Sequence, residues 1–191
     1  DWYIESCQKI KYLFPRAHAT AYVMMAYRIA YCKVHYPLAY YCAYFSIRAD
    51  EFDAQEISMG KNHIKDKIDE LTKLSADRKL ELLEEGTLAV MQLAYEMILR
   101  GFTFEKVDLY KSDAEKFIML KNSLLPPLKS LGGVGETAAK NIVIARQNGK
   151  FISIEDLKSR AGINRTAVNA LQEHGCLKGL SESNQTSLFD F

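Results

Sequence analysis

Apolar side chains recur every three or four residues along most of this chain, a spacing that lines them on one face of successive helices. Trp2, Ile4, Cys7 and Ile10 predict a helix over residues 1–11, which Pro15 breaks before Arg16, Ala17 and His18 open the next. Residues 17–45 predict two helices separated by Pro37, dense in alanine and tyrosine; Ala19, Ala21, Ala26 and Ala30 permit close helix approach, so most of the tyrosines are expected in a tightly packed core. Ile57, Ile64, Ile68, Leu71 and Leu74 form a helical stripe. Ser75 or Asp77 is expected to cap a further helix, and residues 87–99 a more buried one ending at Gly101. Residues 102–109 alternate as a short strand would, with Phe102, Phe104 and Val107 facing inward, and Ser112 with Glu115 has the spacing of a capping box opening a helix through Phe117, Ile118 and Leu120. The fold class is therefore mainly α, with at most a short strand or two.

After Pro126 and Pro127 the pattern changes to short helices punctuated by glycine turns. Leu131-Gly-Gly-Val-Gly-Glu-Thr-Ala-Ala-Lys140 runs from a short helix through a Gly-x-Gly turn into a second helix. Gly133 and Gly135 on either side of Val134 permit positive φ, and the N–H groups of Val134, Gly135 and the following turn are expected to face outward from a helix N-terminus as an anion site. A plain αα-turn with a glycine C-cap is the alternative. The layout returns at Gly162-Ile163-Asn164, with a helix from Arg165, and Asn164 stands where a second glycine would be because asparagine tolerates the left-handed region. Ser153 to Asp156 starts the module's third helix and Gly175 ends its last, where His174 is expected to favour the helix dipole. The pattern resembles the helix-hairpin-helix family, commonly sequence-independent binders of the DNA backbone, and paired hairpins suit a duplex.

Composition changes this picture only through its distribution. With 191 residues, 48% apolar and 26% charged, the chain is ordinary globular material, and its net charge of +1 argues for no partner. Residues 121–180, however, carry nine basic against four acidic side chains, while residues 51–120 carry a net charge of −5. The basic stretch is the hairpin stretch, and Lys140, Arg146 and Arg165 are the candidate side-chain phosphate contacts. Cys7, Cys32, Cys42 and Cys176 have no metal-ligand spacing and read as reduced, mostly buried thiols of a cytoplasmic protein. No apolar run reaches membrane-spanning length and no signal peptide opens the chain. The start at Asp1, without methionine, reads as that of a fragment.

Lys9-Ile-Lys11-Tyr-Leu-Phe-Pro-Arg16-Ala-His18-Ala-Thr-Ala-Tyr22, continued by Tyr27 to Pro37, resembles the fingers segment of bacterial DNA polymerase III α subunits, most closely the PolC type. Gly101 to Tyr110, Leu125-Pro-Pro and the hairpins are similar to the same family in the same order. The resemblance implies the end of a fingers domain over residues 1–50, an acidic helical spacer over 51–122, a tandem helix-hairpin-helix module over 123–180 and a flexible tail over 181–191. It implies a nucleotide-proximal role for Lys9, Lys11, Arg16, His18 and Tyr22, against a purely structural cluster. It also implies primer–template DNA and an incoming dNTP as partners of the intact enzyme.

The tail is polar and then ends in apolar residues. Gln185-Thr-Ser-Leu188-Phe189 resembles the pentapeptide by which bacterial replication proteins bind the sliding clamp, with Gln185 at a hydrogen-bonding subsite and Leu188 and Phe189 in a hydrophobic one. Thr186 stands where leucine is common, and Asp190 and Phe191 run past that pattern. Asp50, Glu51 and Asp53 read as a loop or helix cap rather than metal ligands. No catalytic residue and no metal site is assigned, and the fragment is expected to be inactive alone and to need no cofactor. In this family the carboxylates holding Mg2+ belong to a palm domain that would precede this chain. Two other readings remain: a non-enzymatic, clamp-tethered DNA-binding adaptor, and the accessory part of a helix-hairpin-helix repair enzyme.

Overall fold

The computed structural model describes residues 1–9, 16–77 and 81–184. Among the described residues the fold is mainly α, with one small sheet of three strands, and the chain forms two compact units, residues 1–40 and 41–191.

The first unit holds α1 (Trp2–Lys9) and α2 (Arg16–His35), and α3 (Pro37–Ile47) starts in it at the proline, where the missing N–H costs no helical bond. The expected tyrosine core is not seen in α2. None of its residues is buried, and Tyr22, Val23, Met24, Met25, Tyr27, Ile29, Tyr31 and Val34 are all exposed. Its apolar residues are spread around the whole circumference, so no single stripe is presented for burial. Cys7 and Cys32 are likewise exposed, against the expectation of buried thiols.

The second unit contains α4 (Ala54–Ser58), α5 (Lys61–Ala76), α6 (Leu82–Leu99), β1 (Thr103–Phe104), β2 (Ile118–Met119), β3 (Ser123–Leu125), α7 (Glu136–Ala145), α8 (Ile154–Ala161) and α9 (Arg165–Glu173). Asp53 caps α4 by accepting the Gln55 and Glu56 N–H groups, as a loop acid before a helix should. Gly60, at φ +98°, divides the predicted stripe into α4 and α5. Ile64 and Leu71 of α5 are buried, as are Val90, Met91, Ala94 and Met97 of the adjoining α6. Ser75 lies inside α5 and Asp77 ends it, so neither opens the next helix. Glu81 does so, its N–H donating to Glu84 at 2.9 Å.

A cluster of aromatic rings seats the sheet. Phe52 meets Phe117 and Phe104 at centroid distances of 4.9 and 5.2 Å, and Phe45 reaches both within 5.6 Å. β1 pairs parallel to β3 (Thr103 opposite Ser123) and β2 antiparallel to it (Met119 opposite Leu124). The strand predicted over residues 102–109 is thus only two residues long, with Val107 buried and Phe102 and Phe104 half-buried.

The helix predicted from Ser112 does not form. Asp108 and Asp113 each accept two backbone N–H groups just downstream, making side-chain-closed turns, and the carbonyls of Asp113 and Ala114 accept from Leu128 and Lys129. Carbonyls tied to residues fifteen positions away are not available for i+4 bonds. Burial alone would raise the Asp113 carboxyl, but the N–H groups of Glu115 and Lys116 hold it below the usual range.

Candidate nucleic-acid interface

The two glycine turns are copies at a spacing of 29 residues. Leu128 and Leu157 are fully buried, Gly133 matches Gly162, Thr137 and Ala138 match Thr166 and Ala167, and Ile142 and Leu171 are again fully buried. In each turn the middle residue is an anchor: Val134 and Ile163 are buried while their neighbours on both sides are exposed. A helix N-terminus is thereby held with its backbone at the surface.

Glycine does different work at the two turn positions. Gly133 and Gly162 adopt φ +95° and +60°, but Gly135 and Asn164 are extended N-caps at φ −67° and −82°. The expected positive φ at Gly135 and left-handed Asn164 are therefore corrected. The residue at this position must start a helix, and N-cap geometry is in the β region. The Val134 N–H is not free either, since it donates to the Leu131 carbonyl at 2.9 Å.

The N-caps also make the hairpins unequal. Asn164 accepts the Ala167 N–H at 2.9 Å, whereas Gly135 has no side chain to cap with, and Ala139 is the first residue of α7 whose N–H reaches the Gly135 carbonyl. The N–H groups of Glu136, Thr137 and Ala138 consequently have no cap from the Gly135 side, and this helix N-terminus is the more open of the two.

Among the basic side chains, Arg165 is exposed at the start of α9, facing a shallow groove that it lines with Lys158, Asn169 and Gln172 and with the carboxylates of Glu155 and Glu182. Lys140 is exposed but paired with Glu136, one turn back, and with Glu115 at 3.1 Å. These carboxylates, Glu136 foremost, hold its ammonium above the usual lysine range. Arg146 is turned inward, donating to the Leu109 carbonyl at 2.9 Å, and burial lowers its pKa. Arg160 was not singled out by sequence, yet it ties the hairpins together. It bonds the carbonyl of Ala145, the last residue of α7, and that of Gly149 beyond it, pairs with Asp156 at 3.1 Å and lies 4.6 Å from the centre of the Phe151 ring. Its one local signal was the i,i+4 spacing from Asp156.

His174 does not serve the helix dipole as a cation. It is buried, its Nε2 accepts the Val107 N–H at 3.2 Å, and burial pushes its pKa down. Beside it the Cys176 thiol donates to the Val107 carbonyl at 3.2 Å and is pushed up to about 12 by burial.

Residues 101–187 match the family described as helix-hairpin-helix motif. Over 189 residues the chain is 54% identical to the DNA polymerase III PolC-type of Clostridium perfringens strain 13, and 50% identical to that of Bacillus subtilis strain 168. The similarity to PolC-type DNA polymerase III runs along 99% of the chain's length. It spans 13% of the length of these PolC-type relatives.

Of the residues placed near a nucleotide by the PolC resemblance, Arg16, His18 and Tyr22 lie in the first two turns of α2 and are exposed. The rings of His18 and Tyr22, one helical turn apart, meet at a 60° tilt with centroids at 4.4 Å. Lys9 ends α1, and Lys11 lies outside the described residues, as do Gln185, Leu188 and Phe189 of the tail. Among the described residues no cluster of three or more His, Cys, Asp or Glu side chains is arranged to hold a metal ion, and no helix is long and apolar enough to cross a membrane.

Proposed function

We propose that this chain is the duplex-gripping and clamp-tethering part of a replicative DNA-directed DNA polymerase working in the cytoplasm. The supporting observation is the pair of anchored turns, 29 residues apart, in the most basic stretch of a chain about half identical to PolC-type polymerases. The open N–H groups of Glu136, Thr137 and Ala138, with Gly133, Val134 and Gly135 shaping the cradle, take one backbone phosphate. The second hairpin, with Gly162 and Asn164 shaping its turn, takes another mainly through the Arg165 side chain, because Asn164 already fills part of its own helix terminus. Lys140 joins the first phosphate by exchanging its carboxylate partners for DNA, and Arg146 holds the fold beneath it. None of these contacts reads a base, so the grip is independent of sequence.

Arg16, His18 and Tyr22, with Lys9 and Lys11 before them, offer cationic and aromatic groups to the incoming dNTP as part of the fingers. Gln185, Leu188 and Phe189 engage the sliding clamp. The carboxylates that hold Mg2+ for nucleotidyl transfer lie in the palm outside this segment, so these 191 residues alone do not polymerise.

The test is binding of the 191-residue chain to fluorescent primer–template duplex over a salt series, with Lys140→Ala and Arg165→Ala alongside. A steep salt slope that becomes shallower by about one for each variant, with no dependence on sequence, is the expected result. Negligible binding at low salt, or a slope indifferent to both substitutions, makes the hairpins mere connectors and overturns the reading.

A further inference from the structure

The N-terminus of α8 is occupied by the chain itself. The Ile154 N–H donates to the Ser181 carbonyl at 2.8 Å and the Glu155 N–H to the Glu182 carbonyl at 3.2 Å, while Ser153 Oγ accepts the Asp156 N–H at 2.9 Å. All three leading N–H groups of the helix are therefore satisfied, two of them by the segment that returns after α9. Ser153 and Ser181 form a parallel bridge, and Ser181 Oγ reaches the Ile152 carbonyl at 3.3 Å. The last described residue is fastened as well. The Ser153 hydroxyl, fully buried, donates to Asn184 Oδ1 at 2.6 Å, and the Asn184 N–H donates to Glu155 Oε2 at 3.1 Å.

We infer that Ser181–Asn184 is a latch that fixes the exit of the tail on α8 and so sets a short tether between the duplex grip and the clamp. This rests on the clamp-binding reading of Gln185, Leu188 and Phe189. Phe189 follows Asn184 by five residues, so with the latch closed it lies within about 17 Å of that point, at about 3.4 Å per residue. With the latch open the same count to Phe189 runs from Leu180, over nine residues, and the upper bound on the reach nearly doubles. A tether fastened to the helix-hairpin-helix module registers clamp and duplex at one offset, and slack lowers the effective concentration of the tail at its pocket roughly as the −3/2 power of length.

The experiment uses the intact polymerase with clamp loaded on primer–template, and reads product length per binding event. Gly-Ser insertions of about three and about six residues between Asn184 and Gln185 are expected to shorten the product about twofold and about threefold. The double variant Glu155→Ala with Asn184→Ala, which removes both bonds to Asn184, is expected to shorten it too. Clamp affinity without DNA stays at the wild-type value in all three, and duplex affinity without clamp does so in both insertions; in the double variant, loss of the Glu155 carboxylate from the Arg165 groove raises duplex affinity modestly, so a shorter product there is not a weakened grip. Wild-type product length from the insertions shows that slack is harmless, and wild-type length from the double variant alone shows that these bonds do not set the tether. Either overturns the proposal. Deletion of residues 185–191 is the separate control: unchanged clamp affinity there sinks the clamp-binding reading itself, and the latch with it.

Discussion

Gly133 lies against Thr166 across the two hairpins, so closely that a Cβ at Gly133 stands 3.3 Å from Thr166 Cγ2 and 3.5 Å from the Ala170 Cβ. Its φ of +95° adds a second constraint, since an L side chain is strained there whatever the space. Gly133→Ala is therefore expected to destabilise the chain by about 1–3 kcal/mol. Urea denaturation measures this, and duplex affinity falls in parallel because α7 and α9 no longer share one alignment. Gly135→Ala, at an ordinary φ of −67°, is expected to cost much less.

Gly135 separates grip from stability. Gly135→Asp introduces the side chain that an N-cap favours, accepting an N–H of the first turn of α7, and stability holds or rises by a few tenths of a kcal/mol. The same carboxylate occupies the cradle and repels a phosphate, so duplex binding weakens. Denaturation and fluorescence anisotropy on one variant thus move in opposite senses, whereas a hairpin that only connects helices shows no loss of binding.

Lys140 is shared between Glu136 and Glu115 before DNA arrives. Glu115→Gln removes one competitor and one negative charge from the cradle's rim, so duplex affinity at low salt is expected to rise modestly. Lys140→Ala lowers the salt slope by about one. Lys140 is exposed and Glu115 half-exposed, so the ion pair is a surface one and thermal stability changes little in either variant.

What could be read in advance was local. The turns were legible because glycine and an anchoring apolar residue recur between helical stretches, and the cap at Asp53 because an acid before a helix closes its own first turn. What was missed depends on distant partners. The 112–120 stretch has a capping-box spacing, yet its carbonyls belong to Leu128 and Lys129. Glu115 reaches Lys140 from a turn that was read as helix, and His174 serves Val107, 67 residues earlier. The α2 tyrosines show the same limit from the other side, for an apolar sequence does not by itself say what buries it.

Arg146 carries the charge of a phosphate contact but the environment of a strut. It bonds the Leu109 carbonyl, feels the charges of Asp113 and Asp108, and is only half exposed. Arg146→Ala is expected to cost about 1–3 kcal/mol in urea denaturation, because the carbonyl and the two acids lose their shared cation. The salt slope of duplex binding stays at its wild-type value, unlike that of Arg165→Ala.

His174 makes the stability of residues 41–191 depend on pH near neutrality. Burial, and secondarily the charge of Lys106, depress its folded-state pKa below 6.5, while Asp53 opposes them; the Cys176 thiol, raised to about 12, stays protonated and does not titrate in this range. The neutral imidazole is the form that accepts the Val107 N–H. A histidine whose folded pKa is depressed contributes its full stability above the unfolded value of 6.5, and loses it as pH falls from there through the folded pKa. The urea midpoint is therefore expected to be flat above neutrality and to fall once pH drops below 6.5. His174→Gln, which keeps an acceptor for Val107 but does not titrate, removes that fall. A midpoint with the same acid dependence in both proteins assigns the transition to the carboxylates instead.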